Sequence, residues 1–392
     1  MSQPMTEPSQ EQNKSVEEVQ PSPGGNGAGK VESRVAANGR VAYLGTRSPR
    51  PNTARVWWIM AVTGAAMIIL LLGSVLAGLS RSTASTTTSA SANTSANTTT
   101  DTNTSSAPTV VVPPHNTYNA QIPPVPAGNT VNIRLTMNEL LIAIAPNVAY
   151  HAWSFNNSVP GPILHVRQGQ TVNVTLTNQG SMAHSIDFHA AQVPWNVDYQ
   201  AIQPGKSFSF TWRANYPGVF MYHCGTPTVI YHMANGMYGT IIVDPANGWA
   251  PAQQYALVQS EFYTHQIPDG SFSVDATKMM SGAPDYVVFN GYVNQYKDAP
   301  LTAKVGQRIR LFILNAGPSQ FSAFHVIGAL FSDVYIDGNP ANHMVGNQTI
   351  TIPPGGGVVV EMVIPTAGLY PFVTHSFADA SKGALGGLKV VP

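Results

Sequence analysis

The chain has 392 residues, which is enough for two or three domains with separate hydrophobic cores. Only 10% of the residues are charged and the formal net charge is zero, so the composition argues against a nucleic-acid surface or an acidic substrate channel. The single cysteine, Cys224, excludes an intrachain disulfide. From its count alone, a lone cysteine is most often a small buried apolar side chain.

The N-terminal part carries a predicted membrane anchor. Residues 1–55 are rich in Gly, Pro, Ser and Gln and are predicted to be a disordered cytoplasmic tail. Residues 56–79, VWWIMAVTGAAMIILLLGSVLAGL, are uncharged, and as a helix of roughly 36 Å they could span a bilayer. Five arginines precede this segment and only Arg81 follows closely, so we expect a single-pass cell-membrane protein whose remaining domains are extracytoplasmic. A cleaved signal peptide is the alternative, but the tail is long for one.

The remainder of the chain reads as a linker followed by an all-β region. Residues 80–114 form a Ser/Thr-rich linker, predicted to be a solvated stalk. After it come short runs such as QTVNVTLTN and RIRLFILNA, separated by Gly, Pro and Asn, with no long helical period. Similar turn-strand units, NYPGVFMYHC at 215–224 and PTAGLYPFVTH at 365–375, predict an internal duplication with a join near 245–255. We therefore expect two β-sandwich domains, at 115–248 and 249–392.

Four residues of the first half have the spacing of a mononuclear copper site: His184, Cys224, His232 and Met237. A thiolate with two imidazoles and a weak thioether is the ligand set of copper sites that transfer electrons. Three of these residues fall within HCGTPTVIYHMANGM, so one loop between two strands could supply them, with His184 from a neighbouring strand. Met237 taken alone reads as a core residue, whereas the four together indicate copper.

Alternation along the strands predicts a second site on the opposite face. Adjacent residues of a strand point to opposite sides, so His223 leaves the strand away from Cys224, and His189 faces away from His184. Asp187 shares the face of His189. In the second half, His375 follows a matching strand, so His189, His223 and His375 could form a three-imidazole site with an open position for a substrate. Surface histidines near strand ends also often bind nothing.

These residues resemble the copper-containing nitrite reductases, two-domain relatives of the multicopper oxidases. The resemblance covers most of residues 130–392 and rests on HSIDFHAA, PGVFMYHCGTP, HMANGMYGTIIV and the closing GLYPFVTHSFADASKGALGGLKV. It implies two tandem cupredoxin-like Greek-key β-sandwiches, with one type 1 copper and one type 2 copper per chain.

The resemblance also implies an assembly and a reaction. The chain would form a homotrimer, with His189 and His223 of one subunit and His375 of the next around the type 2 copper. Electrons from a small redox protein or other donor would pass from the Cys224 copper through His223. Nitrite would then take one electron and two protons to give nitric oxide and water. Asp187 matches the aspartate that holds the bound oxygen ligand and relays a proton; its alternative is an interfacial salt bridge.

One segment departs from the family pattern. The family has Pro-His-Leu-Ile-Gly-Gly-His where this chain has FHVIGAL, so Leu330 stands where we expect the catalytic histidine, and only the first histidine remains, as His325. His325 could assist catalysis or be structural. The departure leaves open an oxidase acting on oxygen or another small oxidant, and also an electron carrier whose outer site is empty. Loss of a general acid or base usually costs about 10²- to 10⁴-fold in rate.

Overall fold

The computed structural model describes residues 110–392, together with two short paired strands, β1 (Arg34–Val35) and β2 (Val41–Ala42). The predicted membrane helix at 56–79, and most of the predicted tail and linker, lie outside the described residues. Within the described part of the chain, no helix is long and apolar enough to cross a membrane.

The first part of this region supplies most strands of two sheets. Sheet I consists, in spatial order, of β12 (Thr264–Gln266), β13 (Phe272–Val274), β4 (Val148–Phe155), β3 (Thr130–Ala145), β6 (Thr171–Asn178) and β8 (Ser207–Arg213). Sheet II consists of β5 (Leu164–Arg167), β10 (Tyr238–Asp244), β9 (Gly218–His223) and β7 (Asp187–Phe188). Both sheets are mixed: β3 pairs with β6 and β5 with β10 in parallel, and most other neighbours are antiparallel.

The second part builds two further mixed sheets. Sheet III consists of β14 (Tyr286–Phe289), β11 (Gln253–Phe262), β16 (Arg308–Gly317), β21 (Gly357–Val363), β18 (Phe331–Ile336) and β19 (His343–Asn347). Sheet IV consists of β15 (Leu301–Lys304), β23 (Leu385–Val391), β22 (Gly368–Thr374), β17 (Ser322–Val326) and β20 (Thr349–Ile352). The predicted mostly β architecture is confirmed for these residues.

Within residues 110–392, five short helices interrupt the strands. They are α1 (Trp195–Asp198), α2 (Val229–Ala234), α3 (Ala276–Met280), α4 (Gln295–Asp298) and α5 (Phe377–Ala380). The helix α2 lies within the connection between β9 and β10 that carries Cys224, His232 and Met237, which the sequence predicted only as a loop between two strands. A helix of six residues is too short to show a helical period in the sequence.

Layers of buried apolar side chains hold the sheets together. Residues alternate along the strands, as in β6, where every second side chain is buried. One core packs sheet I against sheet II, and another packs sheet III against sheet IV. A third cluster lies between sheets II and III and includes Val219 and Met221 of β9 and Phe312 of β16. The strand β9 is therefore packed on both faces.

The contact between sheets II and III is close enough to restrict one position to glycine. Val219 donates its backbone N–H to the carbonyl of Asp337 at 2.8 Å. A Cβ at Gly357, the first residue of β21, would overlap the carbonyl oxygen of Val219. This position therefore has room only for the hydrogen side chain of glycine. The strand that carries His223 is thus held against the second half of the chain.

Candidate copper centres

His184, Cys224 and His232 bring their ligand atoms together in the core between sheets I and II. The two Nδ1 atoms are 3.2 Å apart, and Sγ of Cys224 lies 3.3 Å from Nδ1 of His232 and 4.0 Å from Nδ1 of His184. A metal bound at roughly 2.0 to 2.3 Å by such atoms would hold them about 3.5 Å apart. All three side chains are buried, and their geometry fits one ion.

Met237 completes a His–Cys–His–Met cluster of the type 1 copper kind. Its carbonyl accepts a 3.0 Å hydrogen bond from the backbone N–H of Cys224, and both side chains are fully buried in the same core. His232 lies in the last turn of the helix α2, and Met237 follows three residues after the helix ends at Ala234. His184 lies outside the named strands, at an isolated bridge with Ile202 rather than in a strand as expected.

Burial controls the protonation of this cluster. Removal from water lowers the pKa of His184 and lowers that of His232 to about 4, while it raises the pKa of the Cys224 thiol. At neutral pH both imidazoles are therefore neutral and able to bind a metal, and the thiol proton leaves when copper binds. The backbone N–H of Ser185, 3.4 Å from Sγ, can then stabilise the thiolate.

A second cluster lies at the other side of sheet II and contains Asp187, His189 and His223. The Nε2 atoms of the two histidines are 3.2 Å apart, and Oδ2 of Asp187 lies 3.7 Å from Nε2 of His223. Nδ1 of His223 donates to the carbonyl of Cys224 at 2.9 Å, which leaves Nε2 unprotonated in the neutral ring. The cluster thus offers imidazole nitrogens and a carboxylate to one ion.

The two clusters lie on opposite faces of β9, as alternation predicts. Cys224 belongs to the core between sheets I and II, whereas Val219 and Met221, which share the parity of His223, pack toward sheet III. The route by which His189 reaches the second cluster differs from the expected one. The strand β7 is only two residues long, so Asp187 pairs directly with His223, and His189 follows it with its backbone N–H on the carbonyl of Met221.

His375 lies elsewhere in this chain, just beyond the end of β22. Its side chain is exposed, and its ring centroid is 5.6 Å from that of His325 and 4.6 Å from that of Phe377. Among the described residues of this chain, His375 does not join the cluster of Asp187, His189 and His223. His325 therefore accompanies His375, while Leu330 lies in the turn before β18 with 67% of its surface exposed.

Comparison with known proteins identifies the family. Residues 136–248 match the multicopper oxidase family. The copper-containing nitrite reductase of Neisseria meningitidis serogroup B is 37% identical over 287 residues, which cover 70% of this chain and 73% of the relative. The solved copper nitrite reductase of Nitrosomonas europaea is 38% identical, with a TM-score of 0.62, over 67% of this chain and 94% of that chain. The solved Cu-containing nitrite reductase of Thermus scotoductus is 34% identical, with a TM-score of 0.63. The match covers 67% of this chain and 62% of that chain.

The chain belongs to the copper-containing nitrite reductase family. It is accordingly an oxidoreductase homologue, and its mostly β fold matches the two-domain structures of that family. Copper is the metal expected from the family, and the His–Cys–His–Met cluster and the His/Asp cluster fit it by donor type.

Two residues of this nitrite reductase homologue that the sequence did not indicate, Trp153 and Glu139, lie against the histidines of the His–Cys–His–Met cluster. The ring of Trp153 packs edge-on against both His184 and His232, with centroids 5.6 and 4.8 Å away. Glu139, which pairs with Trp153 across β3 and β4, places its carboxylate near His184. No local motif marks these residues, because they reach the site through strand pairing across long sequence separations.

A cavity opens beside the second cluster. It has a volume of about 630 Å³, and Asp187, His223, Trp195, Tyr199 and Thr226 are among the residues that line it. The hydroxyl of Tyr199 donates to the carbonyl of Phe188 at 3.0 Å and so holds the short strand β7 in place.

Proposed function

We propose that this chain is a nitrite reductase that converts nitrite to nitric oxide with two coppers per chain. His184, Cys224, His232 and Met237 would hold the type 1 copper. His189 and His223 would hold the type 2 copper together with His375 of a neighbouring subunit. When bound, copper would supply one-electron redox chemistry at the first site and would bind nitrite at the second.

The observation that carries the proposal is the position of His223 beside Cys224. Consecutive residues of the chain serve two clusters on opposite faces of β9, so the clusters are joined by a single peptide link. A hydrogen bond from Nδ1 of His223 to the carbonyl of Cys224 adds a second connection. An isolated electron carrier has no need of the second cluster or of this link.

Asp187 and His325 would donate the two protons that the reaction needs. The reaction adds one electron and two protons to nitrite and releases nitric oxide and water. The carboxyl of Asp187 faces Nε2 of His223 and can hold a proton against the bound oxygen. His325, whose ring lies edge-on to that of His375, would enter the same site from the neighbouring subunit and supply a second proton. In this arrangement, Leu330 need not carry a catalytic group.

The homotrimer is supported by the surroundings of His375. The ring of Phe377, which packs on His375, is 59% exposed. Other exposed apolar side chains lie on the flanking segments of β17 and β22, namely Phe321, Ile327, Leu330 and Leu369. Exposed apolar side chains that lie close together on one surface are typical of sites that another chain covers. We propose that a second copy of this chain covers them.

The domains, the membrane anchor and the linker between them are parts of the same proposed enzyme. We propose that residues 115–248 and 249–392 are two Greek-key cupredoxin domains, and that residues 56–79 anchor them at the outer face of the cell membrane after a linker at 80–114. The two sandwich cores support the domains. The apolar run and the arginines before it support the anchor.

Anaerobic turnover tests the proposed activity. The copper-loaded chain is incubated with a reduced dye and nitrite, and nitric oxide is measured. We expect nitric oxide from the wild type, and a loss of about 10²- to 10⁴-fold in the Asp187→Asn and His325→Ala variants at full copper occupancy. Absence of nitric oxide from wild-type protein with two coppers per chain would contradict the proposal.

A second candidate is an oxidase that acts on another small oxidant. It is favoured by the multicopper oxidase match over residues 136–248 and by Leu330 at the position where the family pattern has histidine. The chain lacks paired His-X-His segments in its sequence, so a trinuclear copper cluster is not expected. Oxygen consumption with phenolic or metal-ion donors separates this candidate from the first, and an undetectable rate removes it.

A further inference from the structure

The imidazole of His184 turns its second nitrogen toward a carboxylate. Nε2 of His184 lies 3.7 Å from Oε1 of Glu139, within ion-pair distance but longer than a hydrogen bond. Among the described residues, this buried nitrogen has no hydrogen-bond partner. A buried polar atom without a partner calls for an explanation, and the nearby carboxylate supplies one.

The tautomer of His184 follows from the groups that its two ring nitrogens face. Nδ1 faces Cys224 and His232, so this nitrogen must be unprotonated to bind a metal. The proton of the neutral ring then lies on Nε2 and points toward Glu139. Histidines that bind metals commonly direct their other N–H to a carboxylate, which fixes the ring and makes the ligand more basic.

Glu139 is itself held in place for this contact. Its two carboxylate oxygens accept from the backbone N–H of Ser181 at 2.9 and 3.0 Å, and the Ser181 hydroxyl donates to Oε1 at 3.2 Å. Gly180 leaves the space that the carboxylate occupies, because a Cβ there would lie 2.7 Å from Oε1. The side chain is partly exposed, at 31%, so solvent also reaches the carboxylate.

We propose that Glu139 is a positioning residue that lowers the reduction potential of the Cys224 copper by holding a negative charge against His184. The proposal rests on the copper site assigned to His184, Cys224, His232 and Met237 under the proposed function. A fixed negative charge close to the ion stabilises the oxidised, more positive state over the reduced state. It also orients the His184 ring.

The size of the effect follows from the position of the charge. The carboxylate acts across one imidazole ring, where protein and solvent both screen it, so its influence is moderate rather than that of a fully buried charge. We expect its removal to shift the equilibrium between oxidised and reduced copper about tenfold toward the reduced form. Partial exposure of Glu139 argues against a much larger shift.

Two variants separate charge from position. Glu139→Gln keeps the shape and an acceptor oxygen but removes the charge. Gly180→Ala keeps the charge but displaces the flexible end of Glu139, since the three atoms nearest to the added Cβ all belong to the carboxylate. Asp298→Asn, at an exposed carboxylate on α4, is the control for net charge.

The test is a redox titration of the copper-loaded full chain, followed through the visible thiolate–copper absorption band. We expect Glu139→Gln and Gly180→Ala each to raise the potential while the band persists, Glu139→Asp to fall between Gln and wild type, and Asp298→Asn to match wild type. An unchanged potential in both Glu139→Gln and Gly180→Ala, with the band intact, overturns the role of Glu139. Absence of the band from wild-type protein instead overturns the proposed copper site.

Discussion

Nδ1 of His223 donates a 2.9 Å hydrogen bond to the carbonyl oxygen of Cys224, so these neighbours are joined both by a peptide bond and by a hydrogen bond. The side chains of the two residues belong to different clusters on opposite faces of β9. The hydrogen bond also fixes the His223 tautomer, leaving Nε2 free beside Nε2 of His189. One short segment thus shapes the ligands of both candidate copper centres and links them.

Because the clusters lie on opposite faces, each should lose its copper independently. In Cys224→Ala, we expect copper to fall from two to one per chain and the visible thiolate band to disappear. In His189→Ala, copper should fall equally but the band should remain. Metal analysis with visible spectroscopy checks both variants. Loss of both coppers in His189→Ala would show that the second cluster is needed for the fold instead.

Asp187 is expected to act on protons and not on metal retention. It lies 3.7 Å from His223, so Asp187→Asn keeps the size of the side chain while removing its ability to transfer a proton. We expect kcat for nitrite to fall by about 10²- to 10⁴-fold with two coppers still bound. Asp198→Asn, at the neighbouring carboxylate of α1, should retain kcat within about twofold. An equal fall in kcat in both variants would mean that the loss comes from a change in general surface charge and not from proton transfer by Asp187.

Two glycines with similar backbone angles should differ in what they tolerate. Gly291 (φ +86°) packs where an added Cβ would overlap the carbonyl oxygen of Val159, while Gly306 (φ +73°) has nothing within 4 Å of that position. Gly306→Ala should cost roughly 1 kcal/mol from backbone strain alone. Gly291→Ala should cost at least about 2 kcal/mol more, because the backbones must separate. Urea unfolding measures the difference, and equal costs would contradict the close approach.

Glu261 should make stability depend on pH. It is buried in β11 and accepts backbone N–H groups of Ser319 and Gln320 and the hydroxyl of Tyr263. Burial raises the pKa of this carboxyl above its ordinary value of 4.5. The folded state therefore keeps the proton after the unfolded state has lost it, so this contribution to stability declines as pH rises above 4.5 through the raised pKa.

The variant Glu261→Gln does not titrate, which isolates this contribution. We expect the unfolding free energy of Glu261→Gln to improve relative to wild type as pH rises through that window. Its absolute cost includes hydrogen bonds that the amide cannot accept, so the comparison across pH is the informative one. A difference between variant and wild type that stays constant from acid to neutral pH would contradict the raised pKa.

Alternation explains why much of the site could be predicted from the sequence. His223 is the last residue of the regular strand β9 and Cys224 follows it directly, so the period of two predicts that their side chains leave on opposite faces. His184, His232 and Met237 were predicted from a different pattern, the spacing of a mononuclear copper site around Cys224. Asp187 and His189 reached the predicted cluster although β7 is too short for alternation to explain it; pairing of Asp187 with His223 places them instead.

Features that depend on distant pairing could not be predicted in this way. Glu139 meets His184 only because β3 pairs with β4 and the loop at Ser181 folds back onto it. The strands β12 and β13 lie beyond the expected join at 245–255, yet extend sheet I. Likewise, the position of His325 beside His375 follows from pairing of β17 with β22, whereas the motif alone drew attention to Leu330.

The link between the two clusters can be tested by reducing the copper-loaded protein with one electron per chain under anaerobic conditions until the visible band is bleached, and then adding nitrite. We expect the band to return as nitric oxide is released, because the electron passes from the Cys224 site through His223 to the second site. The His189→Ala variant should stay bleached. A band that remains bleached in wild-type protein holding two coppers per chain would contradict the account.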